Sequence, residues 1–115
     1  WDLKSPTVEA LVWGFGGKPL NSPNDLAVHP ADPTRLFFTD PPYGRFEKDQ
    51  FYDGPHLDAK RHLPHNAVYE TVRRGAGWRT TVVGTFHRPN GIALSPDGTH
   101  LFVSECCQGT YHPKC

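Results

Sequence analysis

The segment PNDLAVHPADPTRLFFTD at residues 23–40 recurs as PNGIALSPDGTHLFVSE at residues 89–105. With one extra residue allowed at Pro33, seventeen positions align and seven are identical. Leu26/Ile92, Val28/Leu94, Thr39/Ser104 and Asp40/Glu105 are conservative pairs. A chain built on such a duplication folds as repeated supersecondary units, each completing its core against its neighbour.

Both copies carry the same local signals. Asp25–His29 and Gly91–Ser95 alternate apolar with small or polar residues, the period of a half-buried strand. Pro30-Ala31-Asp32-Pro33 and Pro96-Asp97-Gly98 are turn sequences, because Pro presets φ and Gly accepts the left-handed region. Arg35–Thr39 and His100–Ser104 follow as second strands rich in Leu, Phe and Val. Between the copies, Asn66–Arg73 and the β-branched Trp78–Phe86 read as two further strands around a turn at Arg73–Gly77. Thr7–Trp13 stands before the first copy as Trp78–Phe86 stands before the second. The expected order is therefore D, then A-B-C-D, then A-B: seven strands. With 11 Gly and 12 Pro there is little room for long helices, and a helical reading of Leu57–Leu63 is short and bracketed by Pro55 and Pro64.

Asn24 and Asn90 stand 66 residues apart; without the 24 residues of 41–64 the repeat is 42 residues long. That matches the ~40–45 residues of a four-stranded propeller blade. The fold class expected is all-β, about one and three-quarter antiparallel blades of a β-propeller. Residues 1–105 form the partial propeller, one full blade covers about 24–86, and 106–115 form a cysteine-containing tail. The competing architecture is a single antiparallel sheet or small sandwich that contains a duplication. In a meander, the loops entering strand A and joining B to C share one face. Asn24, Asn90 and the 41–64 excursion are thus expected on the same side, and long excursions of this kind are usually functional.

Charge sets further limits. Twelve Lys and Arg balance twelve Asp and Glu, so no basic field exists to attract nucleic acid or an anionic membrane. No apolar run approaches the ~20 residues of a membrane span. The expectation is a soluble chain, cytoplasmic or secreted, without nucleic-acid or membrane partners. Mean hydropathy is −0.57, yet 14 aromatic residues supply enough apolar area to argue against disorder. Cys106, Cys107 and Cys115 are crowded into the last ten residues and form no disulfide framework; a link from Cys115 to one of its two partners is the local bond open to them. The first residue is Trp, which suggests processing or a piece of something longer.

Three motifs carry a family resemblance: Asn21-Ser22-Pro23-Asn24-Asp25-Leu26, Phe38-Thr39-Asp40-Pro41-Pro42-Tyr43-Gly44, and Arg88-Pro89-Asn90-Gly91-Ile92-Ala93-Leu94-Ser95-Pro96-Asp97-Gly98. They resemble the gluconolactonase, regucalcin (senescence marker protein) and luciferin-regenerating-enzyme family of six-bladed propellers. The resemblance implies a metal-dependent hydrolase of a sugar lactone or similar ester, with one divalent ion, usually Ca²⁺, on the propeller axis. Asn90 matches a metal ligand of the family, and Asn24 matches a residue that binds metal in some members and substrate in others. Asp40, Pro42 and Tyr43 match the pocket wall. An amide oxygen is a hard, neutral donor suited to Ca²⁺. The family's ligand Glu belongs to an earlier blade and its ligand Asp, also the general base, to a later one. The resemblance therefore places no catalytic residue in this chain, and implies that the isolated chain is inactive.

Each sharp reading has a plainer rival. Asn24 and Asn90 also suit turns in which the side chain bonds its own backbone. Asp25 reads as a strand-start residue, and Asp40 equally as a solvated strand end. His62-x-x-His65, with His56, has zinc-like spacing, but Pro64 interrupts any helix that would align it. Cys107, His112 and Cys115 lack zinc-knuckle spacing. No Gly-x-Ser-x-Gly elbow supports a serine nucleophile. Trp13, Phe15, Phe37, Phe38, Tyr69, Trp78 and Phe102 suit packing between blades rather than stacking on bases. The alternatives to a lactonase are a non-catalytic propeller used for binding and an inactive truncated product. Strands left exposed at each side also point to self-association.

Overall fold

The computed structural model describes Lys4, residues 8–45 and residues 58–105. Eight strands lie in this part: β1 (Gly14–Phe15), β2 (Lys18–Pro19), β3 (Leu26–His29), β4 (Asp32–Asp40), β5 (Asn66–Arg74), β6 (Gly77–Phe86), β7 (Pro89–Leu94) and β8 (Leu101–Glu105). A single 3₁₀ turn, Tyr43–Arg45, follows β4. Of the short helical reading at 57–63, which the flanking prolines disfavour, the described part holds only a helical turn at residues 58–59.

Strands β3, β4, β5 and β6 form one antiparallel sheet in that order, which is the meander of a propeller blade. The β7–β8 pair repeats the first half of it. Leu26 faces Phe38, Ala27 faces Phe37 and Val28 faces Leu36 in the first copy; Ile92 faces Val103, Ala93 faces Phe102 and Leu94 faces Leu101 in the second. Two stretches alike in sequence thus adopt the same register, because the alternation of apolar residues tolerates no one-residue slip.

Alternation along the central strands creates two cores. On one face Phe38, Ala67 and Tyr69 pack with Leu20 and Leu63, and Val12 and Phe15 close over them. The Phe38 and Tyr69 rings stack with centroids 5.2 Å apart. On the other face Phe37 and Val68 meet Ile92, with Ala27, Leu94, Leu101 and Val103 around them. This second core joins blade to hairpin; burying Phe37 and Ile92 there contributes roughly 1.5–3 kcal/mol for each side chain.

Two expectations are corrected. Residues 8–13 of the expected strand Thr7–Trp13 form no ladder. A fourth strand needs a third one beside it, and no described strand precedes it. The chain instead turns back at Gly16-Gly17, both at positive φ (58° and 78°), to pair β1 with β2. Two glycines accept the left-handed conformations that a two-residue hairpin turn requires. The expected turn at Arg73–Gly77 is also tighter, since β5 runs to Arg74 and β6 begins at Gly77. Residues 46–57, including His56, and residues 106–115, including all three cysteines, lie outside the described part.

Candidate functional site

The two asparagines of the repeat meet. Asn24 enters β3 and Asn90 lies at the start of β7, and Asn24 Nδ2 donates to Asn90 Oδ1 across 2.9 Å. Both are partly solvent-exposed, at the end of the seam between blade and hairpin.

Thr39, fully buried near the end of β4, holds this seam. Its hydroxyl accepts the Asp25 N–H at 3.1 Å and donates to the Asn90 carbonyl at 2.7 Å. Backbone bonds from Asn24 N to Thr39 O and from Thr39 N to Asp25 O, both 3.0 Å, fix the entry to β3. Asp25 reaches across: Oδ2 accepts the Ile92 N–H and Oδ1 its own neighbour's, Leu26, each at 2.9 Å. Its carboxylate clamps two strands and is engaged at both oxygens.

The glycine of Pro-Asn-Gly follows from the same crowding. A Cβ on Gly91 would lie 2.9 Å from Ser104 Oγ, closer than real contacts allow. Ser104 Oγ instead accepts the Gly91 N–H at 2.9 Å, repeating the Thr39–Asp25 bond of the first copy.

Asp40 has no exposed surface. Oδ2 accepts the Asn21 N–H at 2.9 Å and Oδ1 the Ser22 N–H at 2.6 Å, so the carboxylate anchors the turn that delivers Asn24. Pro42 is buried beside it. Tyr43 is half-buried, its hydroxyl donating to the Arg88 carbonyl at 3.3 Å, two residues before Asn90. Gly44 N donates to Ser22 Oγ at 2.7 Å, tying the 3₁₀ turn to the same loop. The end of β4 and the two asparagines are therefore on one side, as the meander requires.

Three site-supporting residues were not assigned roles from sequence. Asn21 links three segments: its Oδ1 accepts Leu63 N at 2.9 Å and its Nδ2 donates to the His65 carbonyl at 2.8 Å. Arg88, buried in front of Pro89, pairs with Asp58 at 3.0 Å and so fastens the far end of the excursion to β7. Asn66 Nδ2 donates to the His87 carbonyl at 2.8 Å. Arg88 and Asn21 lie inside the quoted motifs, but only their position there marked them out. His62 and His65 have separate partners, the Leu20 carbonyl (3.1 Å) and the Tyr69 hydroxyl (3.0 Å). Burial, with the charge of Asp40 second, pushes the Tyr69 hydroxyl far above the ordinary range, so it stays protonated.

A groove of about 500 Å³ runs along the opposite face of the blade, lined by Leu11, Val12, Leu26, Leu36, Phe38 and Thr71. Only Asn24 and its neighbours at one end connect it with the asparagine pair. Its apolar lining suits a packing seam better than a polar substrate. Among the described residues, no group of three His, Cys, Asp or Glu side chains could hold a metal. No described helix is long and apolar enough to cross a membrane.

Sequence and structure comparisons agree on kinship. The chain is 37% identical over 94 residues to the gluconolactonase of Zymomonas mobilis, an alignment covering 82% of this chain and 23% of that enzyme. It superposes on the structure of a Xanthomonas campestris gluconolactonase with a TM-score of 0.66 and 35% identity, covering 87% of this chain and 30% of the other. The chain thus spans about a quarter of the length of the curated relative. Residues 1–112 match the SMP-30/gluconolactonase/LRE-like region, and the chain belongs to that family.

Proposed function

We propose that this chain carries one sector of a divalent-metal-dependent lactonase site, with Asn24 and Asn90 at its rim. The observation that supports the reading most is the 2.9 Å contact between the two amides, brought together from equivalent points of two repeats. Both gluconolactonase relatives cover the region that contains it.

The donor set fits a hard cation in kind. Each amide offers a neutral carbonyl oxygen, and Ca²⁺ is the ion that suits such donors best, with 6–8 oxygens around it. Asn24 and Asn90 would each hold it through Oδ1, and the bound ion would act as a Lewis acid toward a lactone carbonyl. Two neutral donors supply neither the number nor the charge for tight binding. The remaining ligands, carboxylates among them, come from other blades.

The residues of this chain orient and exclude. Thr39 and Asp25 keep the two amides in register. Tyr43, bonded to the Arg88 carbonyl, would form the pocket wall on that side and contact a sugar lactone. Asp25 does not serve as a general base, since both its oxygens hold backbone N–H groups. The chain alone is therefore inactive.

Replacing the aligned 94-residue segment of the Zymomonas enzyme with that of this chain tests the reading. The chimera is expected to hydrolyse glucono-δ-lactone in the presence of Ca²⁺, followed by pH-stat. Asn90→Ala in the chimera should lower the rate at least about 100-fold, as loss of a metal ligand does. An unchanged rate in that variant, or hydrolysis by the isolated chain, would contradict the assignment.

A further inference from the structure

Ser22 and Arg88 occupy the same place in the two repeats, each followed by Pro-Asn. Their backbones are held alike. Asp40 accepts the N–H groups of Asn21 and Ser22, and its counterpart Glu105 accepts those of His87 and Arg88, at 2.6 and 3.3 Å. The side chains then make equivalent ties by different chemistry. Ser22 Oγ accepts the Gly44 N–H just after β4. The Arg88 guanidinium instead takes Asp58, ahead of β5, with Nη1 to Oδ1 at 3.0 Å and Nη2 to Oδ2 at 3.4 Å. Each stem of the excursion is thus fastened to the loop that delivers one asparagine.

Burial makes Arg88 the more telling of the two. Arginine is seldom fully buried, yet Arg88 is 1% exposed. An ion pair removed from water is a weak source of stability, because desolvation offsets the attraction. What the pair supplies is a fixed position. The planar guanidinium fork sets distance and angle together. Asp58 is itself held in place, since its carboxylate also pairs with Arg61 Nη1 at 3.2 Å.

That position reaches Asn90 through a stiff link. Pro89 has its φ locked and restricts the residue before it, so Arg88-Pro89 has little freedom to absorb a shift. Arg88 Nη1 also donates to the His87 carbonyl at 2.8 Å, and the Arg88 carbonyl receives the Tyr43 hydroxyl. A displaced guanidinium therefore moves Asn90 and Tyr43 together.

We propose that Arg88 is a positioning residue of the site: its pair with Asp58 sets Oδ1 of Asn90 for a divalent cation, while Arg88 itself touches neither cation nor substrate. The inference rests on the reading of Asn90 as a metal ligand.

Isothermal titration of the Zymomonas chimera with Ca²⁺ alone tests this without reference to turnover. Arg88→Met and Asp58→Asn should each weaken Ca²⁺ binding about 10-fold, the lower end of what residues that orient a metal ligand contribute. The double variant should be no weaker than the weaker single one, because the two groups act as a unit. Arg88→Lys keeps the charge but not the fork, and should fall between wild type and Arg88→Met. Arg35→Met breaks the ion pair with Glu70 toward the opposite end of β4 and should leave the affinity unchanged. Calcium-free melts followed by circular dichroism separate positioning from damage to the fold. Should Arg88→Met fail to fold, Asp58→Asn, alike in shape and at a partly exposed position, carries the comparison. Unchanged affinity in the Arg88 and Asp58 variants, with binding lost in Asn90→Ala, overturns the positioning role alone. Weakening that only follows a lower calcium-free melting midpoint, or that adds up in the double variant, also overturns it. Unchanged affinity in Asn90→Ala overturns the reading of the site and this inference with it.

Discussion

Thr39→Val is the sharpest probe of how the asparagine pair is held. Valine matches threonine in shape, so the change removes a hydroxyl from a fully buried position and little else. Two hydrogen bonds go: one from Asp25 N–H and one to the Asn90 carbonyl, at 3.1 and 2.7 Å. Each is worth about 1 kcal/mol net, and groups left without partners in a partly buried seam add about 1 kcal/mol or more. The total is about 2–4 kcal/mol, a large share of a domain stability of roughly 5–15 kcal/mol. With a urea slope near 1.5 kcal/mol/M, the midpoint should fall by roughly 1.3–2.7 M. Ser104→Ala is the internal control. Its hydroxyl makes the equivalent bond to Gly91 N–H on an exposed strand and has no described acceptor across the seam, so about 1 kcal/mol or less is expected. Tryptophan fluorescence in urea, at one protein concentration because association adds apparent stability, measures both. A Thr39→Val cost no greater than that of Ser104→Ala would refute the idea that Thr39 ties blade to hairpin.

Gly91→Ala should cost about 1–2 kcal/mol in the same assay, since its Cβ would stand 2.9 Å from Ser104 Oγ. Much of that loss should return in Gly91→Ala/Ser104→Ala; no recovery would place the strain elsewhere. Asp97, exposed in the second hairpin turn, accepts from the Ser95 hydroxyl and from the N–H and hydroxyl of Thr99, which lowers its pKa from 3.8 to about 2. A folded-state value below the unfolded one means this stabilisation is present above about pH 4 and is lost as pH falls through about 2. Carbon-13 titration of the Asp97 carboxyl reads the midpoint directly, and a midpoint near 3.8 would remove the turn from the list of acid-sensitive contacts.

Much of the fold was legible because it is periodic. The alternation in Leu26–His29 and in Ile92–Leu94 predicts strands, and duplication predicts their common register, which the pairings of Phe37 with Ala27 and Phe102 with Ala93 share. The β1–β2 hairpin escaped because an apolar run at Thr7–Trp13 outweighed two adjacent glycines that were the better signal. Strand propensity counts for little without a ladder partner. At the site, the repeat singled out Asn24 and Asn90, and the structure brings their side chains into contact. What could not be read were the residues that arrange them. Thr39 bonds Asn90 across 51 positions and Asp25 bonds Ile92 across 67. No local pattern encodes such distances. Asp40 shows the opposite difficulty: a carboxylate at a strand end reads as solvated or pocket-facing, whereas here its partners are backbone N–H groups of a loop that precedes it by 18 residues.

The central claim is that Asn24 and Asn90 act together as oxygen donors. Calcium titration of the uniformly ¹⁵N-labelled chain, followed through its four asparagine side-chain amides, tests it most directly. At concentrations up to about 10 mM, beyond the 10⁻⁴–10⁻³ M range of weak calcium modules, the resonances of Asn24 and Asn90 should move together along one binding curve. Those of the buried Asn21 and Asn66 should stay in place. Asparagine pairs that do not respond, or shifts confined to surface carboxylates, would contradict the claim.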